Sequence, residues 1–336
     1  MAIGLAAGSL GSETDGSIVS PSSKNNVVGF KPTVGLVSRA GVMPISSHQD
    51  TARPMCRSVA DAALLLSVIA GPDPRDEATL HQPGVLPDYM KALDPNALKG
   101  KRLGVPRMFL RDGERTFRAL GAEIVDPADL PCAEEMKVSQ AESLVLKTDF
   151  KVDVTNYISG LLKVPTGVKN LADLIDFNKT HADLELISPY HGNQDRFIEA
   201  EATEKTDAYY AALAEDFDLG RTRGVDATLQ KYKLDAIILP ADGLSSKPAA
   251  ISGYPIISVP LGFQPDNVEI LPLPAAPLHT QAPGLPFGIA FIGTGYSEFS
   301  LISIAYAFEQ ATHARLKRRA YAETIPATQI KDVLSA

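Results

Sequence analysis

Short apolar runs alternate with amphipathic stretches along most of the chain, and this alternation predicts an α/β fold. Three runs of the type found in buried strands lie at 234–240, 256–263 and 287–293. Two shorter runs, at 98–106 and 122–126, predict further strands. Because strands with two apolar faces must be covered twice, we expect a sheet with helices on both faces.

Helices are predicted where apolar residues recur every three to four positions. The clearest begins at Ser58, which has capping-box spacing to Asp61, and it stops at Gly71 and Pro72. The apolar residues 1–7 predict a strand or helix that enters the middle of a fold, and the proline-rich residues 265–283 predict a loop. The other predicted helices lie within 111–120, 171–178, 208–213 and 297–312.

The composition sets limits on partners and location. The chain has 336 residues, 45% of them apolar, and a net charge of −8 from 40 acidic and 32 basic residues. No long basic run or membrane span is present, so neither nucleic acid nor a membrane is expected as a partner. Two cysteines make no disulfide framework, which favours a cytoplasmic protein. We expect one domain over 1–320, followed by a tail over 321–336.

Metal binding is not expected either. His181 and Glu185 have the i, i+4 spacing of two ligands on one helix face, but no third ligand stands near them in the sequence. A solvated helix face is the favoured interpretation. No cofactor motif occurs in the chain, since it contains neither a phosphate-binding glycine loop nor a pair of closely spaced cysteines.

The candidate chemistry lies near the beginning of the chain, at Ser17. Gly16 directly before Ser17 allows a tight turn that aims a hydroxyl and neighbouring N–H groups into one space. Such a pairing suits acyl transfer, in which an oxygen attacks a carbonyl and backbone donors hold the developing oxyanion. A surface loop rich in glycine and serine is the alternative, and these residues alone leave it open.

An ordered series of motifs around Ser17 resembles the amidase signature of the Ser-Ser-Lys amidohydrolases. The series reads GSETDGSI at 11–18, PSS at 21–23 and VGFKPTVG at 28–35, and it continues to Met55. The sequence SSKNNVVG at 22–29 is most similar to the fungal amidases of the family. The resemblance implies the fold of that family, a mixed twisted β-sheet between helical layers, here lacking an N-terminal portion.

The resemblance also implies a function and its residues. It implies a carbon–nitrogen hydrolase that acts on linear, small-molecule amides through an acyl-enzyme on Ser17. The backbone N–H groups of Thr14, Asp15, Gly16 and Ser17 correspond to the family's oxyanion hole. Neither a metal nor a cofactor is implied.

A second group of candidates comes from the ends of predicted strands, where α/β sheets place ligands. Asp242 and Gly243 follow the run at 234–240, and Gly253 and Tyr254 precede the run at 256–263. We expect these four residues near the cleft. The alternative is that they only shape the turns at the ends of the strands.

The family's activating groups are not matched in these residues. The resemblance implies a lysine base and a bridging serine upstream of the matched stretch, and Lys24 and Lys31 are poor substitutes by position. One alternative is therefore a non-catalytic homologue, and another is a chain completed by a partner. An apolar surface left uncovered favours self-association. Arg53 departs from the pattern, since the family usually has glycine there.

Overall fold

The computed structural model describes residues 1–107, 114–242, 245–273 and 278–318. Within these ranges, eight strands form one mixed sheet in the order β1-β3-β2-β7-β10-β6-β4-β5, and two more form a separate hairpin, β8-β9. The strands are β1 (Gly8–Glu13), β2 (Val28–Lys31), β3 (Thr51–Cys56), β4 (Arg102–Gly104), β5 (Glu123–Val125), β6 (Ala236–Pro240), β7 (Ile256–Phe263), β8 (Leu271–Pro272), β9 (His279–Gln281) and β10 (Pro286–Ile292).

Pairing is antiparallel from β1 to β6 across the sheet order, and β6, β4 and β5 are parallel to one another. A π-helical segment, Asp218–Val225, joins α9 to α10. The helices of the described ranges are α1 (Val19–Lys24), α2 (Val59–Ile69), α3 (Glu114–Ala119), α4 (Ala133–Val138), α5 (Ala141–Ser159), α6 (Leu171–Thr180), α7 (Ala182–Glu185), α8 (Asp195–Glu201), α9 (Asp207–Phe217), α10 (Asp226–Tyr232), α11 (Lys247–Ser252) and α12 (Glu298–Thr312).

The central strands are buried on both faces. In β10, Ile289 and Phe291 belong to the core cluster shared with α2 and α12, whereas Ala290 and Ile292 belong to the cluster shared with α1, α10 and α11. Successive side chains of a strand point to opposite faces, so such a strand needs an unbroken apolar run. The expected sheet between helical layers is confirmed.

Local predictions agree with the structure where a short motif decides the backbone. Ser58 is the N-cap of α2, and its Oγ accepts a hydrogen bond from the Asp61 N–H at 3.1 Å. The five predicted strands correspond to β4, β5, β6, β7 and β10. Between the parallel strands β4 and β5, where a helix is predicted within 111–120, the structure describes α3.

One local prediction was wrong. Residues 1–7 form neither a strand nor a helix, because Gly4, at φ +86°, closes a turn in which its N–H donates to the Met1 carbonyl at 2.9 Å. The proline-rich stretch 265–283 has little regular structure in its described residues, apart from the short hairpin β8-β9. The predicted tail over 321–336 lies outside the described residues.

Helices of the described ranges were also compared with the thickness of a bilayer. None of them is long and apolar enough to cross one.

Candidate active site

Ser17 lies in a loop that connects β1 to α1. The loop turns at Gly16, whose φ of +76° is costly for any residue with a side chain, and the Ser17 side chain is exposed. Among the described residues, no protein acceptor receives the backbone N–H groups of residues 14–17, and no side chain hydrogen-bonds to the Ser17 hydroxyl. The Ser17 side chain is thus exposed, and the four N–H groups of residues 14–17 have no acceptor among the described residues.

The side of the loop that faces the sheet is held by Glu13. Its Oε2 accepts hydrogen bonds from the N–H groups of Ile18 at 2.6 Å and Val19 at 2.9 Å. Its Oε1 lies 3.0 Å from Arg53 Nη1, as an ion pair rather than a directed hydrogen bond, and both side chains are fully buried. The Glu13 carboxylate thus links the end of β1 to the start of α1 across the loop.

The ionised form of Glu13 is the stable one. Burial raises the pKa of its carboxyl, but the Arg53 guanidinium and the N–H groups of Val19 and Ile18 outweigh burial. The pKa of Glu13 therefore lies below its ordinary value, as expected for a buried carboxylate with a cation and two donors around it.

Strand register explains why Arg53 can reach Glu13. In the antiparallel pair of β1 and β3, Arg53 lies opposite Gly11, so its side chain shares a face with Gly11 and, two residues on, Glu13. A Cβ at Gly11 would lie 2.5 Å from the Cδ1 atom of Ile18. The glycine therefore lets Ile18, the residue after Ser17, pack directly on β1.

A second attachment runs through the segment 45–50. Thr14 Oγ1 donates to Asp50 Oδ1 at 2.5 Å, and Asp50 Oδ2 accepts from the N–H groups of Ile45 at 2.7 Å and Ser46 at 2.9 Å. Gln49 Nε2 donates to Glu142 Oε1 at 3.0 Å. The loop is thereby tied to α5, in which Glu142 lies.

A cavity of about 680 Å³ lies beside the loop and is lined by Asp15, whereas Ser17 is not among the described residues that line it. Ser246 Oγ donates to Asp15 Oδ1 at 2.6 Å. Burial, and next the neighbouring Glu142 carboxylate, raise the pKa of Asp15 to about 7. The walls of the cavity combine apolar side chains with charged ones: Ile45, Leu146, Phe150, Phe197, Lys137, Lys147, Arg196, Glu199, Glu142 and Lys247.

The two lysines considered as bases do not contact Ser17 among the described residues. Lys31 is completely buried, and its Nζ donates to the carbonyls of Tyr254 at 2.8 Å and Pro32 at 3.4 Å. Burial, and next the nearby Arg53, lower the pKa of Lys31 to about 7. Lys24 is exposed in the last turn of α1.

The expected cleft residues separate into two places. Asp242 Oδ1 accepts from the N–H of Ser245 at 3.1 Å and from its Oγ at 2.7 Å, which places Asp242 beside Ser246, the partner of Asp15. Gly253 ends α11 at φ +70°, and the Tyr254 hydroxyl donates to Asp226 Oδ2 at 2.7 Å. None of Asp242, Gly253 and Tyr254 is among the described residues that line the cavity. Gly243 lies outside the described residues.

His181, the residue between α6 and α7, contacts the end of α6 rather than a ligand set. Its Nδ1 lies 2.9 Å from the Phe177 carbonyl oxygen, and its ring stacks on Phe177 with centroids 4.1 Å apart. In the part of the chain that the structure describes, no group of three or more His, Cys, Asp or Glu side chains could hold a metal ion.

A comparison with family models matches residues 1–302 to the family described as Amidase. The chain belongs to the amidase family. Two curated relatives, both provisionally named amidases, come from Arthroderma benhamiae and Arabidopsis thaliana and are 38% and 41% identical to it. The alignments cover 99% and 93% of this amidase-family chain, respectively, which spans 58% of the length of each relative.

Solved structures agree with the family. The peptide amidase of Stenotrophomonas maltophilia is 38% identical, with a TM-score of 0.80 over 95% of this chain and 65% of its own. An amidase-family protein of Bacillus anthracis is 28% identical, with a TM-score of 0.79 over 95% of this chain and 60% of its own. The expected resemblance to the amidase signature is confirmed.

Several residues around the loop were missed by the sequence reasoning. Glu142 and Ser246 reach Asp15 from α5 and from the start of α11, and neither stands in a motif with a recognisable spacing. Arg53 was singled out only as a departure from the family pattern. Its pairing with Glu13 had one available signal, the register of two neighbouring strands.

Proposed function

We propose that the chain is the part of a carbon–nitrogen hydrolase that carries the nucleophile Ser17 for the cleavage of linear amides. The observation that supports this proposal most is the exposed Ser17 hydroxyl beside N–H groups, at residues 14–17, that have no protein acceptor among the described residues. Donors of this kind stabilise a developing oxyanion when they are fixed before the reaction. The Glu13, Thr14 and Asp15 contacts fix them here.

The reaction proceeds through an ester on Ser17. Its Oγ attacks the amide carbonyl carbon, the carbonyl oxygen becomes an oxyanion held by the N–H groups of Thr14, Asp15, Gly16 and Ser17, and the amine leaves with a proton. Water then hydrolyses the ester and releases the acid. The proton acceptor for Ser17 is proposed to come from polypeptide outside these 336 residues, in keeping with the lysine and serine that the resemblance implies upstream.

The substrate is proposed to occupy the cavity beside Asp15. Apolar side chains such as Phe150 and Phe197 suit an alkyl or aromatic acyl group, and the volume of about 680 Å³ suits a small molecule or the end of a peptide. The peptide amidase of Stenotrophomonas maltophilia is a relative that makes peptide amides reasonable members of a test panel.

A fluorophosphonate probe tests the nucleophile directly. The Oγ–phosphorus bond forms as fluoride leaves, so mass spectrometry locates the reacting serine. We expect adduct on Ser17 and none in Ser17→Ala, whereas Ser12→Ala, which removes another exposed serine of the same segment, labels like the unchanged protein. Folded protein that acquires no adduct on Ser17, either alone or mixed with the separately produced N-terminal region of the Arthroderma benhamiae relative, would instead support the non-catalytic alternative.

A panel of linear amides tests turnover. The chain alone and the chain mixed with the separately produced N-terminal region of the Arthroderma benhamiae relative are compared. Release of amine only in the mixture would support the idea that a second polypeptide supplies the activating groups. Labelling of Ser17 without turnover in either case would contradict the hydrolase proposal but leave the reactive serine in place.

Self-association is proposed through the edge of the sheet. β1 pairs only with β3 among the described strands, and the exposed Leu10 and Leu64 flank a cavity of about 340 Å³ between β1 and α2. An open apolar edge favours pairing with a second copy. Light scattering after size exclusion should show a dimer that Leu10→Lys weakens, and a monomer at all concentrations would refute it.

A further inference from the structure

We infer that Arg53 is a positioning residue that holds the Ser17 loop in its reactive shape through Glu13. The inference rests on the proposed function of Ser17 and adds to it a residue that departs from the amidase pattern. Arg53 lies in β3, with its side chain fully buried, and it is not among the residues that line the cavity beside Asp15. It therefore acts on the loop and not on a bound substrate.

The contacts of the Arg53 guanidinium all lead to the start of the loop. Nη1 lies 3.0 Å from Glu13 Oε1, Nη2 donates to the Glu13 carbonyl at 2.8 Å, and Nε donates to the Thr51 carbonyl at 3.3 Å. Thr51 is the register partner of Glu13. The guanidinium thus contacts both the backbone carbonyl and the side-chain carboxylate of Glu13.

Glu13 transmits this constraint to the residues around Ser17. Its other carboxylate oxygen holds the N–H groups of Ile18 and Val19, the two residues that follow the serine. A buried carboxylate without a cation would take up a proton, which weakens these bonds, or move toward water, which breaks them. Lys31, the other buried cation near Glu13, already donates to two carbonyls.

The position of Arg53 makes the inference testable with one substitution. The amidase pattern usually has glycine there, so Arg53→Gly restores the family's residue while it removes the guanidinium from this chain. If Arg53 only filled space, the loop would keep its shape in a folded variant. If it positions Glu13, the variant loses the contacts that hold Glu13, and the loop changes its shape.

The experiment compares the unchanged protein with Arg53→Gly, Arg53→Lys and Arg102→Gly. Arg102 pairs with Glu123 at the other end of the sheet, so its variant controls for the loss of an arginine. Two quantities are measured: amide hydrogen exchange of Ile18 and Val19, and the rate of Ser17 labelling by a fluorophosphonate. Guanidinium chloride is then added to Arg53→Gly, with urea at the same concentration as the neutral control.

We expect Arg53→Gly to lose exchange protection at Ile18 and Val19 and to label about 100-fold more slowly, since small displacements of reacting groups cost this much. Arg53→Lys keeps the charge but replaces the three separate guanidinium nitrogens by one ammonium nitrogen, so its labelling should fall less than about tenfold. Guanidinium, and not urea, should restore part of the labelling. Arg102→Gly should label at the unchanged rate.

Each result decides. Unchanged exchange and labelling in folded Arg53→Gly would overturn the inference, as would equal rescue by urea. If Arg53→Gly does not fold, Arg53→Lys is compared with Arg102→Lys, and equal labelling of the two would overturn it. If the unchanged protein is not labelled on Ser17, either alone or mixed with the N-terminal region of the Arthroderma benhamiae relative, the proposed function fails, and hydrogen exchange at Ile18 and Val19 alone decides the role of Arg53.

Discussion

Two carboxyl groups, those of Glu13 and Asp15, lie close before Ser17, and their surroundings are opposite. Glu13 faces the sheet, where Arg53 and two backbone N–H groups surround it and hold its pKa below the ordinary value. Asp15 faces the cavity, where burial and the nearby Glu142 raise its pKa to about 7, with Ser246 as its hydrogen-bond donor. The carboxyl on the sheet side of the loop is thus ionised and paired with a cation, whereas the carboxyl on the cavity side titrates near neutral pH.

The difference indicates a division of work within the loop. A carboxylate that is ionised at every ordinary pH suits a fixed attachment, since its bonds to Ile18 and Val19 do not vary with conditions. A carboxyl that titrates near neutral pH at the wall of a cavity suits a group that responds to what enters. Asymmetry of this kind is expected where a backbone must stay rigid beside a changing ligand.

Removal of the carboxylate on the sheet side should have the larger effect. Glu13→Ala leaves the Arg53 guanidinium buried without an anion and frees the N–H groups of Ile18 and Val19. The free energy of unfolding should fall by about 3–5 kcal/mol, the usual cost of breaking a buried pair. Urea denaturation measures it.

The matched control removes an exposed carboxylate. Glu123→Ala breaks the pair with Arg102 at the surface, and its cost should stay within about 1 kcal/mol. Equal losses in the two variants would show that the buried Glu13 pair is no more important than a surface pair, and the comparison of the two sides of the loop would fail.

These contacts show what the sequence could and could not predict. The cap at Ser58 and the strand at 256–263 were found because a local motif and a run buried on both faces decide them. The turn at Ser17 was found because Gly16 stands directly before it. The link of Glu13 to Arg53 was missed because it depends on how two strands 40 residues apart align.

The cavity side was harder still to predict. Glu142 and Ser246 come from helices far apart in the chain, and only tertiary packing brings them to Asp15. The prediction for residues 1–7 was wrong for a local reason, since an apolar composition suggested regular structure where Gly4 makes a turn. Spacing in a sequence carries information about one element at a time, whereas this site is assembled from several.

A substitution on the cavity side should change the pH dependence of stability. Between its ordinary pKa of 3.8 and its folded value of about 7, Asp15 holds a proton that the unfolded chain has lost. The contribution of Asp15 to stability is therefore present below pH 4 and is lost as the pH rises toward 7. Asp15→Asn removes this dependence.

We expect the stability of the unchanged protein relative to Asp15→Asn to fall on the order of 2 kcal/mol between about pH 4.5 and about pH 8. Other buried carboxyls, such as Asp216 and Glu309, titrate alike in both proteins and cancel. Urea denaturation at several pH values gives the difference. A constant difference would mean that Asp15 is ionised throughout, like Glu13, and the two sides would no longer contrast.

The smallest expected effect sharpens the same contrast. Ser246→Ala removes the hydroxyl that donates to Asp15 Oδ1 at 2.6 Å. Because that hydrogen bond lowers the pKa of Asp15, the midpoint of the Asp15 titration should rise above its present value near 7 in the variant. Above that midpoint, the lost hydrogen bond to a charged group should cost about 1–2 kcal/mol of stability. Ser252→Ala is the control within the same helix, because its Oγ donates to the Pro248 carbonyl and not to Asp15. A midpoint that moves equally in both variants would mean that the start of α11 sets the titration of Asp15 through packing, rather than through the Ser246 hydroxyl.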